Sequence, residues 1–352
     1  MNKRRIFVWG YWAMNLGDDL FLCAICNRYP KFEFIIECDS QYSVAFNNLS
    51  NLMIVSDIND IKDTICLQIF LGGSLFMQPK NEKNIKSKYI DTIKKNTFNA
   101  PYIIIGANFG PYNNMQHLHL YQDWFQWAND ICFRDLWSKN QFPSLNNIRW
   151  APDIILGQHN LLCEKDFIAT ERAISLSLIN NNGRIGLPCY SEKTYISSLS
   201  SAIQKYIEQD YRIKLLSFCP KQGDTIISQK IKDNLSSTYR YKTEIIEYNG
   251  DISRFIENGY NCEYIIGTRF HSVIIAWCLN IKVLPIIYND KMRHVIEDYT
   301  FPYDYLDITQ LKNATFESFD SNRSRQPWNC ENLKCFSNEH FSYLDKFVRR
   351  IK

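Results

Sequence analysis

The segment Ile265-Ile266-Gly267-Thr268-Arg269-Phe270-His271-Ser272 sets a guanidinium and an imidazole two residues apart, between the end of one apolar run and the apolar stretch 273–279. A planar guanidinium fork matches a carboxylate or a phosphate. Burying it without an anion is costly. An imidazole, with its reference pKa near neutrality, can act as a general acid. The pattern suits an anion clamp beside a proton donor. It suits equally a structural pair satisfied inside the fold.

Three earlier loops have the same setting, directly after a short apolar run. Gly10 to Asp19 carries Asn15, Gly17 and Asp18 and leads into a helical stretch. Glycines let the backbone approach a ligand, and a helix N-terminus favours an anion. The GxGxxG spacing of a dinucleotide loop is missing, and Asp18 or Asp19 would also serve as a plain helix cap. Gly72-Gly73-Ser74 follows Ile69-Phe70-Leu71. Gly106 to Pro111 contains Asn108, which can bond a sugar or its own turn. Arg134, Asp135 and Ser138 follow Ile131-Cys132-Phe133, where an ion pair or a cap is the simpler reading.

These loops need strands to present them. Short apolar runs at 5–9, 32–38, 66–71, 102–105 and 131–133 alternate with helical stretches such as 19–26. That alternation indicates a parallel sheet covered on both faces. A second series follows at 173–178, 213–218, 244–248, 264–266 and 283–288, with a helical stretch at 195–209. Residues 157–170 lack sustained apolar periodicity and mark the boundary, and Asn180 to Gly183 reads as a loop. The expected organisation is a Rossmann-like domain over 1–165, a second over 166–310 and an extension over 311–352. The apolar residues at 341, 344, 347, 348 and 351 make the end an amphipathic helix. Ligands of open α/β sheets bind at the carboxyl ends of strands, which is where these loops lie.

Composition narrows the class. The chain has 352 residues, 45% of them hydrophobic and 22% charged, with a formal net charge of +3. That balance excludes the strongly basic footprint of a nucleic-acid binder. No apolar run reaches the roughly 20 residues of a membrane span, and the start lacks the long apolar core of a signal peptide. The 12 cysteines are scattered and read as reduced, mostly buried thiols. Cys23 and Cys26 form a CxxC without a matched second pair, so no metal site is expected. His117 and His119 flank Leu118 in a helical stretch, where they cannot face one ligand. His159, His294 and His340 read as surface or packing residues.

Taken in order, the loops resemble the polysaccharide pyruvyl transferase family. The likeness rests on Asn15, Gly17 and Asp18; on Gly72 to Phe76; on Gly106 to Pro111; on Arg134 to Ser138; on Ala151-Pro152-Asp153; and on Gly267, Arg269 and His271. It runs from about residue 6 to 295. Ser74 stands where a third glycine is common, and Glu263 where an aspartate is common. Beyond about 310 nothing matches.

The resemblance implies a GT-B-like α/β architecture, two Rossmann-like domains facing across a cleft with a C-terminal helix. The first domain would take the acceptor and the second the donor. It implies phosphoenolpyruvate as donor, a saccharide acceptor either free or lipid-linked, and a cyclic pyruvate ketal as product, in capsule, exopolysaccharide or cell-wall synthesis. No metal or organic cofactor is implied. Location would be cytoplasmic, with peripheral contact to the inner membrane face if the acceptor is lipid-linked. On this reading Arg269 holds the donor carboxylate or phosphate, His271 donates a proton and contacts phosphate, and Asp18 is the base. Asn15, Gly17, Gly72, Gly73, Ser74, Asn108, Arg134, Gly267, Thr268 and Ser272 line the substrates. Two rivals share the same residues. A glycosyltransferase of this architecture would use Arg269 and His271 on a pyrophosphate. A non-catalytic carbohydrate binder would use the aromatic side chains, 14% of the sequence.

Overall fold

Side chains such as those of Ile6, Phe7 and Val8, or Ile103, Ile104 and Ile105, show no exposed surface at all. Strands buried on both faces must be apolar throughout, and this requires a layer of structure on each side of the sheet. The computed structural model describes residues 4–94, 100–163, 169–180 and 190–350. It contains two sheets, and every pairing between their strands is parallel.

The first sheet consists of β1 (Arg5–Trp9), β2 (Glu33–Glu37), β3 (Leu52–Val55), β4 (Ile65–Leu71), β5 (Tyr102–Ala107), β6 (Asp130–Phe133) and β7 (Ile148–Trp150). Their spatial order is β3-β2-β1-β4-β5-β6-β7. The second consists of β8 (Ala173–Ser177), β9 (Arg212–Ser217), β10 (Thr243–Glu247), β11 (Tyr264–Gly267), β12 (Val283–Ile287) and β13 (Leu306–Asp307). Its order is β10-β9-β8-β11-β12-β13. Both are doubly wound. The order reverses between β1 and β4 in one sheet and between β8 and β11 in the other, and such reversals open a crevice at the carboxyl ends. The fold is therefore a pair of Rossmann-like domains with a C-terminal helix.

The long apolar runs of the sequence are the central strands. Three edge strands escaped that reading: β3, β7 and β13. Each is short and mostly half-buried, so none shows the uninterrupted apolar run of a central strand. Residues 181–183 of the expected loop, Cys189 and position 351 of the terminal helix lie outside the described residues.

The chain divides into two compact units, Met1–Trp12, Asp18–Gly157 and Asn332–Lys352 in the first, Ala13–Gly17 and Gln158–Glu331 in the second. The tail expected as one extension is thus divided. Phe316–Asp320 packs on the helix Glu192–Glu208 in the second unit, while the last residues return to the first. Arg149 explains that return. Its Nε and Nη2 donate to the two carboxylate oxygens of Asp130 at 2.8 and 2.7 Å. Nη1 and Nη2 also donate to the carbonyls of Glu339 and His340. Asp345, in the terminal helix Ser342–Arg350, accepts from Arg28 at 2.9 Å and from the Tyr29 hydroxyl at 2.6 Å.

His340 is fully buried on this docked tail, and burial pushes its pKa down to about 4. An imidazole held neutral in the fold but free to protonate near pH 6.5 when unfolded gives stability present above pH 6.5 and lost as pH falls towards 4. Urea unfolding should therefore show about 2 kcal/mol less stability at pH 5 than at pH 7 from this group. In His340→Gln that difference should shrink by the same amount.

Candidate active site

The second unit places Ser177 at the end of β8 and Gly267 at the end of β11, on either side of the reversal in strand order. Thr268 continues from β11, and Arg269 caps the helix Phe270–Cys278. The turn is held from β8. Ser177 accepts the Arg269 backbone N–H on its hydroxyl at 3.1 Å and the Thr268 N–H on its carbonyl at 3.1 Å. Ser272 donates its hydroxyl to the Arg269 carbonyl at 2.7 Å and shares a hydrogen bond with Ser177. Thr268 shares one with the buried Tyr195 hydroxyl at 3.1 Å.

Arg269 is 7% exposed. Its Nη1 donates to Gln222 Oε1 at 2.7 Å, and its Nη2 is ion-paired with Asp224. Nε has no partner. Asp224 is wholly buried and accepts the backbone N–H groups of Phe218 and Cys219 on its other oxygen, at 3.2 and 3.0 Å. Burial pulls the Arg269 pKa down, but the adjacent carboxylate pulls it up by more, so the group stays cationic. The sequence suggests an anion on Arg269. In the structure that anion is, first of all, the protein's own.

His271 follows on the helix, half-buried, its ring nearly perpendicular to that of Phe270 with centroids 5.1 Å apart. Residues Ala13–Gly17 fold with this unit. Leu16 donates its N–H to the Phe218 carbonyl at 3.2 Å, and Asn15 Oδ1 accepts the Gly17 N–H at 3.3 Å. Gly17 lies so close to His271 that an added Cβ would stand 1.8 Å from Nδ1. The glycine of the first loop and the imidazole of the fourth, 254 positions apart in the chain (271 − 17), are in contact.

The first unit gathers a second group at its own reversal point. Gly72 and Gly73 both have φ of +65°, a region open to glycine at little cost. An added Cβ on Gly73 would stand 2.8 Å from Asp18 Oδ1, so the loop lies against that carboxylate. Ser74 donates to Asn108 Oδ1 at 3.0 Å, and Arg134 Nη2 donates to the same oxygen at 2.7 Å. Arg134 also pairs with Asp153 at 3.2 Å, and both are buried. Below the loops an aromatic cluster fixes Phe76 and Phe109, with Phe76 and Phe125 rings 5.2 Å apart and Phe109 and Phe142 rings 4.8 Å apart. His117 serves that cluster, bonding the Phe76 carbonyl at 3.1 Å.

The polysaccharide pyruvyl transferase family model matches residues 15–290. The chain belongs to that family. The amylovoran biosynthesis protein AmsJ of Erwinia amylovora is 21% identical over 268 residues, covering 70% of this chain and 62% of that protein. The match thus spans less than two thirds of that relative. Among solved structures, the UDP-GlcNAc 2-epimerase of Methanocaldococcus jannaschii covers 98% of the chain with 100% of its own, at a TM-score of 0.59 and 13% identity. HepE of Anabaena, solved with UDP and glucose, covers 99% with 99%, at 0.56 and 10%. These likenesses describe the fold, that of GT-B glycosyltransferases and related epimerases.

The family motifs now have physical roles. In Arg134 to Ser138, the arginine pairs with Asp153 and holds Asn108. Asp135 caps the helix Leu136–Asn140, accepting from the Ser138 N–H at 2.7 Å. Ser138 in turn accepts the Phe109 N–H at 2.8 Å. Arg134 and Asn108, expected to meet substrate, are each about 2% exposed and brace the Gly72-Gly73-Ser74 loop from beneath. Sequence reasoning missed Asp224 and Gln222. The only local signal was Gly223, with φ of +83°, at the turn into the helix Asp224–Asn234. No group of metal-binding side chains occurs among the described residues. Cys23 and Cys26 are buried free thiols, and burial raises both pKa values, that of Cys23 to about 12.

Two outcomes follow. Alanine within a helix ordinarily gains about 1 kcal/mol over glycine. Gly17→Ala should instead give no rise in Tm and should shift the His271 ring signals in a histidine-selective NMR spectrum. Arg134→Met leaves Asp153 buried without its cation and should cost about 3–5 kcal/mol in urea unfolding. Pairing it with Asp153→Leu should recover part of that loss.

Proposed function

We propose that the protein is a ketal-forming pyruvyl transferase that moves a pyruvyl unit from phosphoenolpyruvate onto two neighbouring hydroxyls of a saccharide. Membership of the family supports the reaction class. The observation that carries the assignment of roles is the His271 imidazole, half-exposed at a helix start and resting on Gly17, whose next residue is Asp18.

His271, as imidazolium, donates a proton to the methylene carbon of phosphoenolpyruvate. The adjacent carbon becomes electrophilic. One acceptor hydroxyl adds there through oxygen and gives its proton to Asp18. The bond from that carbon to the phosphate oxygen breaks, and phosphate leaves with the electron pair. The neighbouring hydroxyl then adds to the same carbon and closes the ring, giving its proton to His271 and restoring the imidazolium, while Asp18 passes its proton to the departing phosphate. The products are a cyclic ketal and inorganic phosphate, and the sequence of steps calls for no metal or organic cofactor. The donor's anionic groups would sit at the helix start capped by Arg269, near Gly267, Thr268 and Ser272, where a helix N-terminus favours negative charge. Asn15 and Gly17 line the same turn. The acceptor would lie along Gly72, Gly73 and Ser74 in the first unit. Asn108 and Arg134 support that loop rather than touch sugar.

The acceptor is proposed to be a unit of an exopolysaccharide, capsule or cell-wall glycan, either free or lipid-linked. The enzyme would work in the cytoplasm, at the inner membrane face if the acceptor is lipid-linked. Among the described residues no helix is long and apolar enough to cross a membrane.

Donor choice tests the proposal. The protein should release inorganic phosphate from phosphoenolpyruvate in the presence of a saccharide acceptor and release no nucleotide from UDP-sugars. Nucleotide release would instead establish a glycosyltransferase, and saccharide binding without turnover a lectin-like role. His271→Ala should lower phosphate release by about 100- to 10,000-fold with an unchanged circular dichroism spectrum. Near-normal turnover in that variant would remove His271 from the chemistry.

A further inference from the structure

We infer that Asp224, aided by Gln222, is the positioning residue of the donor site: it fixes the Arg269 guanidinium and the Gly17–His271 contact through one closed circuit of hydrogen bonds and close packing. The inference rests on the donor reading above and deepens it.

The strand order makes the geometry possible. Arg269 follows β11, Ser177 ends β8, and the turn carrying Gln222 and Asp224 follows β9. These three strands are consecutive in the sheet. The Arg269 side chain therefore reaches across the carboxyl end of β8 to bond residues beyond β9. Its two terminal nitrogens are each taken, one by Gln222 and one by Asp224. A guanidinium held at both ends of its fork cannot turn freely about its Cζ–Nε axis, so the plane in which its other N–H groups lie, on Nε and on both terminal nitrogens, is set by the protein.

The same carboxylate reaches further. Its second oxygen holds the N–H groups of Phe218 and Cys219. The Phe218 carbonyl accepts the Leu16 N–H, and Gly17, the next residue, lies against His271. His271 is two residues from Arg269 on the helix. The path from Asp224 through Phe218, Leu16 and Gly17 to His271 and back through Arg269 closes on itself within one unit. Asp224 touches neither reacting group of the proposed chemistry, yet it holds both of the side chains assigned to the donor.

The test uses the full-length protein, as wild type, Asp224→Asn and the double variant Asp224→Asn with Gln222→Glu. Asparagine keeps the shape but removes the charge. Glutamate at 222 returns a carboxylate to the other terminal nitrogen. Lys214→Met, which removes a buried cation of the same unit that pairs with the half-exposed Glu171, serves as the comparison for general loss of stability. Two quantities are read at a temperature where every variant is folded: phosphoenolpyruvate affinity by titration calorimetry, and the rotation of the Arg269 guanidinium by arginine side-chain nitrogen NMR.

In the wild type the terminal nitrogens should rotate slowly. Asp224→Asn should release them and weaken phosphoenolpyruvate binding by about 10- to 100-fold, the effect of losing a charge-assisted hydrogen bond. Gln222→Glu in that background should restore slow rotation and most of the affinity, while Lys214→Met should change neither. The inference is overturned if Asp224→Asn leaves the Arg269 signal and the affinity unchanged. It is equally overturned if the double variant recovers neither, since Asp224 would then support only the fold. Failure of the wild type to bind phosphoenolpyruvate strikes the donor reading instead, and the guanidinium rotation still decides whether Asp224 positions Arg269.

Discussion

A guanidinium taken out of water needs an anion at its side, and both units of this protein are arranged around that requirement. Arg134 follows β6 and pairs with Asp153, which follows β7. Arg269 follows β11 and pairs with Asp224, beyond β9. In each case the arginine stands at the carboxyl end of a parallel strand and the carboxylate comes from a different strand's loop. Each carboxylate also accepts backbone N–H groups, Asp153 from Ile155 and Asp224 from Phe218 and Cys219. Two charges that satisfy one another and their surroundings are tolerable in the interior. One alone is not.

Because these pairs cross between loops, they make the loops rigid with respect to the sheet that carries them. In the first unit the pair reaches Asn108 and, through it, Ser74. The glycines beside Ser74 can then hold a left-handed conformation against Asp18 without drifting. In the second unit the pair braces the turn from Gly267 to Ser272, while small hydroxyl groups on Ser177 and Ser272 complete it. The strands supply direction, the glycines close approach and the ion pairs fixity. Groups held in this way are preorganised, and preorganised dipoles need not reorganise as charge develops.

The doubly wound sheet is shared by an epimerase and a glycosyltransferase that differ from this chain at nearly nine positions in ten. The likeness is one of fold, and the chemistry of this chain must be read from its own loops. His271 resting on Gly17 is a feature of those loops. It joins the first loop of the chain to the last of the family motifs, and a side chain of any size at position 17 would forbid it.

Much of this was legible in the sequence for simple reasons. Central strands of a parallel sheet are buried on both faces and so read as unbroken apolar runs. The loops that follow them announce themselves by glycine, asparagine and charge. The edge strands β3, β7 and β13 were not legible, because short, half-buried segments leave a mixed pattern, and the division of the tail between the two units depended on the docking of Arg149 and Arg28, which no local pattern shows. The sequence by itself determined that Arg269 and His271 stand at the end of a strand, because that is a matter of neighbours along the chain. Only the tertiary structure decided that Arg269 is held by Asp224, 45 residues earlier, and that His271 meets Gly17, because the partner of a buried charge is chosen by which strands lie side by side, and strand order is not written in any single segment.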